Sequence, residues 1–192
     1  MKIKKHLKNL SPAQVFIEFV SVVFAVLLAL GMNSYKQSID RKNDAQTLKK
    51  SILAECKSNL ADLDTILIKN KAYSEYLDSL VRLPKADQKD KFIFNYEFEL
   101  MTRGAWNIVQ NHPAVGELET DFLLDVSDLY HGQDFFMDFS TNMIKEIGPM
   151  LIEYQRLEDS DMILSMNYKV SVINTFGYNL KEKYQDLLTK YE

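Results

Sequence analysis

Residues 15–32, VFIEFVSVVFAVLLALGM, form an apolar run whose only polar members are Glu18 and Ser21. As an α-helix these eighteen residues rise about 27 Å, close to the ~30 Å thickness of a bilayer's hydrocarbon core. A backbone crossing hydrocarbon must satisfy its own hydrogen bonds, so a single crossing segment is a helix. The residues just before the run mark a helix start. Ser11 is an N-cap, Pro12 suits the first helical position, and Gln14 closes a capping box. The reading adopted is an uncleaved membrane anchor over 12–35. The competing reading is a secretion signal cleaved after Ala29-Leu30-Gly31. Against it stand the acid inside the run and the helical character that persists through Lys36, Asp40 and Asp44.

Charge sets the expected orientation. Lys2, Lys4, Lys5 and Lys8 precede the run with no acid among them. They predict a cytoplasmic basic tail over 1–11 that contacts anionic lipid headgroups, with the body outside the cytoplasm. Setting aside those four lysines and Glu18, the chain keeps 19 basic and 26 acidic residues, a net of −7. An acidic body lacks the basic face that phosphate backbones require, so nucleic acid is not an expected partner.

The body, 36–192, reads as helical. Six glycines and four prolines are too few for the turns of a many-stranded sheet. Leu48, Ile52, Cys56, Leu60, Leu63, Leu67, Leu77 and Val81 recur mostly in steps of three and four, and no Gly or Pro interrupts Met32 to Leu83. One helix is therefore expected to continue from the lipid surface. Asn59 and Asp62 intrude on its stripe, which favours a globular bundle face over a coiled coil. Pro84 and KADQKDK are expected to form a loop. FIFNYEFEL alternates with a period of two, and without a partner strand it reads as an extended segment or short helix packed on the bundle. Thr102 is expected to cap a short helix carrying Ala105, Trp106 and Val109, with Trp106 anchoring it to the bundle. A further helix begins near Thr120 and is broken or kinked at Gly148-Pro149. A last helix runs to the C-terminus. The sum is an all-α chain: one transmembrane helix continuing into an antiparallel helical bundle.

No catalytic constellation is visible. His6, His112 and His131 form no HExxH or paired ladder, and the chain has no phosphate-cradling glycine loop and no nucleophile elbow. His131, with Asp128 and Asp134, reads as a solvated helix turn. Cys56 is the sole cysteine and falls on the apolar stripe, as a core residue does. Neither metal nor cofactor is expected, and no catalysis.

The stretch IEFVSVVFAVLLALGMNSY resembles the N-terminus of uncharacterised single-span bacterial membrane proteins, in which a basic tail precedes an acid-led span and a helical extracytoplasmic body. TRGAWNIVQ followed by LETDFLLDVSDLY is similar to their Thr-x-x-x-Trp segment and the acidic helix after it, with Thr102, Trp106 and Tyr130 in the matching places. Met32 and Tyr35 depart from the pattern, where a longer polar residue and Trp are more usual. The resemblance implies location in the bacterial inner membrane and a helical periplasmic body, without an established activity. Two functions are then expected to compete. One is a scaffold binding another envelope or membrane protein, or a second copy of itself. The other is an ion-coupled accessory subunit, similar in layout to stator proteins, that uses Glu18 as its protonatable site.

Overall fold

The computed structural model describes residues 12–98, 100–157 and 161–192. The basic tail with Lys2, Lys4, Lys5 and Lys8, and the cap residue Ser11, lie outside them. The described residues are all-helical with no strand. Helix α1 spans Pro12–Val81, α2 Lys85–Lys91, α3 Gly104–Gln110, α4 Thr120–Leu157 and α5 Asp161–Tyr191, with one 3-10 turn at Val115–Glu117.

Helix α1 has 70 residues, which is about 105 Å of unbroken rod. Its two halves live in different surroundings. From Pro12 to Asp44 nearly every side chain is exposed, and the first buried residue is Ala45. From there Leu48, Ile52, Cys56, Asn59, Leu63, Leu67, Asn70, Tyr73 and Leu77 are buried at helical spacing and form one wall of the core.

Three long helices make up the bundle. Helix α5 runs antiparallel to α1, joined by Lys57–Glu192 at 2.6 Å and Lys181–Asp64 at 2.7 Å. It is also antiparallel to α4, joined by Lys190–Asp125 and Lys183–Asp128, both at 2.7 Å. These pairs are exposed and set register more than stability. The closest approach is at Gly177 of α5. A Cβ there would lie 2.6 Å from Leu67 Cδ2 and 3.2 Å from Phe136 Cε2.

The remaining space between α1 and α4 is filled by an extended strap, residues 92–98 and 100–103, in place of a fourth helix. The amide of Asn70 pairs with the backbone of Glu97, donating to its carbonyl and accepting from its N–H, both at 3.0 Å. The amide of Asn59 does the same for Thr102, at 2.7 and 3.0 Å. Eleven helical residues rise about 16.5 Å, and five extended residues also span about 16.5 Å. Helix and strap thus keep step between the two clamps. Tyr76 makes a third, its hydroxyl donating to the Lys91 carbonyl and accepting from Ile93 N–H.

Three local expectations are corrected. KADQKDK is not a loop but α2, whose Gln88 is buried and donates to the Leu83 carbonyl at 2.8 Å. Thr102 does not cap α3. Its N–H and hydroxyl both go to Asn59 Oδ1, and the N-cap position falls to Arg103. Gly148-Pro149 does not break α4, which runs through Pro149 to Leu157 with Met143 and Ile147 buried before it and Leu151 half-buried after it, so of break and kink only a kink remains.

Two stability outcomes follow. A fragment of residues 38–192 should give a helix-dominated circular dichroism spectrum, and Gly177→Val in it should lower stability by about 1–3 kcal/mol through overpacking. Chemical denaturation measures the second effect, and an unchanged midpoint would contradict the close approach.

Candidate functional site: the uncovered end of the first helix

Among the described residues, one helix is long and apolar enough to cross a membrane, and none of its apolar window is buried. Val15, Phe16, Ile17, Phe19, Val22, Phe24, Leu27, Leu28, Leu30 and Met32 are all exposed, each at or above half of its surface. The rest of the chain covers none of them. Exposing this much contiguous apolar surface to water is unfavourable by about 25 cal/mol per Å², so the segment needs an apolar environment. Glu18 is exposed on the same helix, one turn into the apolar run.

Between Met32 and Ala45 the same helix continues as a polar stalk, NSYKQSIDRKND, about 18 Å long. The base of the bundle sits at its upper end. Arg41 reaches Glu117 at 3.9 Å, Lys49 reaches Glu119 at 3.6 Å, and the Lys49 ammonium lies 5.1 Å from the ring centres of both Phe122 and Tyr191. Asp125 beside them has its carboxyl lowered, first by the Lys190 hydrogen bond and then by the Tyr191 hydroxyl. These contacts lock α1 into the bundle just above the stalk.

The buried polar groups higher up are structural. Glu55 accepts from Ala105 N–H at 2.9 Å and from the Tyr130 hydroxyl, which fixes the start of α3. Trp106 stacks on Tyr130 with ring centroids 5.7 Å apart and planes 4° apart, and it is 7% exposed. Gln133 donates to the Thr102 carbonyl at 3.1 Å and accepts from Asn59 and the Tyr184 hydroxyl. Cys56 is fully buried, and desolvation pushes its thiol up to about 12. The same desolvation raises Tyr130 and Tyr184 above the ordinary tyrosine range. Groups held this firmly neutral do not serve as bases or nucleophiles near pH 7.

His131 is exposed, and its two flanking aspartates are engaged elsewhere, Asp134 with Arg103 and Asp128 with Lys183. The described residues hold no group of three His, Cys, Asp or Glu side chains placed to bind a metal ion. An apolar groove of about 510 Å³ lies between α1 and the strap, lined by Tyr73, Tyr76 and Ile93 among others. The clamps Asn59, Asn70, Tyr76 and Glu55 were not expected as such. Their signal was present in Asn59, a polar residue interrupting an otherwise apolar stripe.

No protein-family model, no curated protein and no solved structure matches this chain.

Replacing Asn59 by Ala orphans the Thr102 N–H and removes three further bonds, a loss of about 2–3 kcal/mol. Trp106→Ala should cost about 3–5 kcal/mol, the range for deleting a large buried side chain. Both are read from urea unfolding of the 38–192 fragment. Cys56 in the folded chain should resist thiol reagents at pH 8 and react fully in denaturant. Rapid labelling of the native chain would contradict its buried, protonated state.

Proposed function

We propose that this protein is a membrane-anchored helical interaction protein of the bacterial envelope, with its N-terminus in the cytoplasm and its bundle in the periplasm. The observation that carries the reading is the continuity of α1. One unbroken helix has an uncovered apolar end and a far end built into the core. Such a rod holds the bundle at a fixed height and rotation relative to the lipid surface, which a flexible linker does not. The bundle offers an exposed, charge-rich surface to a protein partner at that height. Its internal polar groups support the fold rather than chemistry, which favours binding over catalysis. The four N-terminal lysines support the inward orientation of the tail.

Glu18 separates this reading from the ion-coupled one. It is the one ionisable group in the apolar run, and an ion-coupled subunit would depend on its charge change. A scaffold uses it as a polar contact only. Glu18→Gln should then retain partner co-purification and function, while Glu18→Leu weakens co-purification. Loss of function in Glu18→Gln with the complex intact would favour the ion-coupled subunit instead.

Topology is tested separately. A reporter fused after Glu192 should be active only outside the cytoplasm, and the full chain should stay in membranes after carbonate washing. Recovery of a soluble chain starting near Met32 would identify a cleaved signal. Inserting residues after Gln37 tests the rigid rod in cells. Seven residues nearly restore the phase of the helix and two turn the bundle by about 200°. Function should survive the first insertion better than the second, and equal tolerance of both would contradict the reading.

A further inference from the structure

The exposed side of α1 carries a pattern that lipid alone does not require. Ser21, Ala25, Leu28, Met32, Tyr35 and Ile39 follow one another in steps of 4, 3, 4, 3 and 4, with Glu18 three residues before the first. This is the a/d spacing of a two-stranded coiled coil, sustained over three heptads from Glu18 to Ile39. Inside the apolar run the row collects both polar residues and a small one, while Phe16 and Phe19 lie on other faces and Phe24 borders the row. Helix pairs in membranes meet through small and polar residues in this way. Beyond the run, Tyr35 is 71% and Ile39 42% exposed, in a segment that is otherwise polar. Ile39 sits about 10 Å past Met32, outside hydrocarbon, so lipid tails do not cover it. The charges of Asp40, Arg41 and Asp44 fall off the row.

The surface also has a receiving shape. A shallow, open hollow of about 460 Å³ is lined by Met32, Asn33, Tyr35, Lys36 and Ile39. Residues at i, i+3, i+4 and i+7 form the four-cornered hole of knobs-into-holes packing. In a parallel, in-register pair this hole takes the side chain that the second helix presents at the level of its own second corner. That side chain is another Tyr35. Knob and hole then come from one set of residues, as a two-fold symmetric contact requires. Lys36 at the hole's edge can lie over the incoming ring, a favourable cation–π arrangement. The bundle leaves the space free. Ala45, Leu48, Ile52 and Cys56 face roughly 140° round the helix from the row, so two bundles would hang on opposite sides.

We infer that a second copy of this chain packs along the row Ser21, Ala25, Leu28, Met32, Tyr35 and Ile39, as a parallel pair of α1 helices with Tyr35 of each copy seated in the other's hollow. The inference rests on the membrane-anchor reading, and its test keeps the two apart. Single cysteines are placed at positions 31–42 of the full-length chain in membranes, and oxidative cross-linking is read as disulfide-linked dimer. The native Cys56 is buried and contributes no background. Cross-linking should peak at 32, 35 and 39 and fall several-fold at 34, 37 and 41. Adding Tyr35→Lys should lower the cross-link at Met32→Cys several-fold, with the chain still resistant to carbonate washing. A membrane-retained chain that cross-links nowhere, evenly, or best at 34, 37 and 41 overturns the pair. A chain released by carbonate overturns the anchor, and the pair falls with it.

Discussion

The structure depends on one hydrogen-bonding constraint, the need of α1 to satisfy its backbone over its whole length. A helix that stopped at the end of the apolar run would leave four carbonyls to cap there. Here it does not stop. No Gly or Pro follows Gly31 until Pro84, so the ladder continues through the stalk into the core, and its last turn falls about 70 Å beyond the apolar run. Everything else is assembled on that rod. Helix α5 lies against it closely enough to require Gly177, the strap is clamped along it, and α4 packs on α5 and reaches α1 through Tyr130–Glu55 and Gln133–Asn59.

The strap shows how a three-helix bundle fills a fourth position without a fourth helix. An extended segment between helices has no ladder for its N–H and C=O groups, and a buried unpaired backbone group is costly. Asn59 and Asn70 supply that ladder from side chains. Each amide presents a donor and an acceptor, the complement of one residue's backbone. Glutamine or serine at these places could not offer the same pair at the same reach. Fully satisfied polar groups of this kind also fix register, because a strap shifted by one residue would leave both amides misaligned.

Much of this was legible in the residues. The steps of three and four from Leu48 to Leu77 described the buried face of α1, although Val81 is exposed and Leu80 is buried in its stead, and the period of two in FIFNYEFEL described an extended chain. The strap's partners were not legible, because a strand pattern points to another strand and here the partners are helix side chains. Thr102 carries the local signature of a cap, but the long-range pull of Asn59 outweighs it. KADQKDK is polar enough to read as loop, yet it contains good helix formers, and Gln88 closes the helix back onto Leu83. Pro149 would end an isolated helix. Within α4 the loss of one hydrogen bond does not stop the helix, whose buried stripe is already established by Met143 and Ile147 before the proline. The apolar end of α1 was legible as a helix and a candidate span, and the structure leaves that apolar run uncovered.

The central claim is that anchor and bundle are a single stiff helix. Spin labels at Gln37→Cys and Ser58→Cys, in full-length chain in bilayers and diluted with unlabelled chain, bracket the point where the stalk enters the bundle. Twenty-one helical residues predict one narrow distance distribution near ~32 Å, adjusted for the label arms. A broad distribution, or a markedly shorter distance, would mean the helix bends or melts between lipid and bundle, and the account would be wrong.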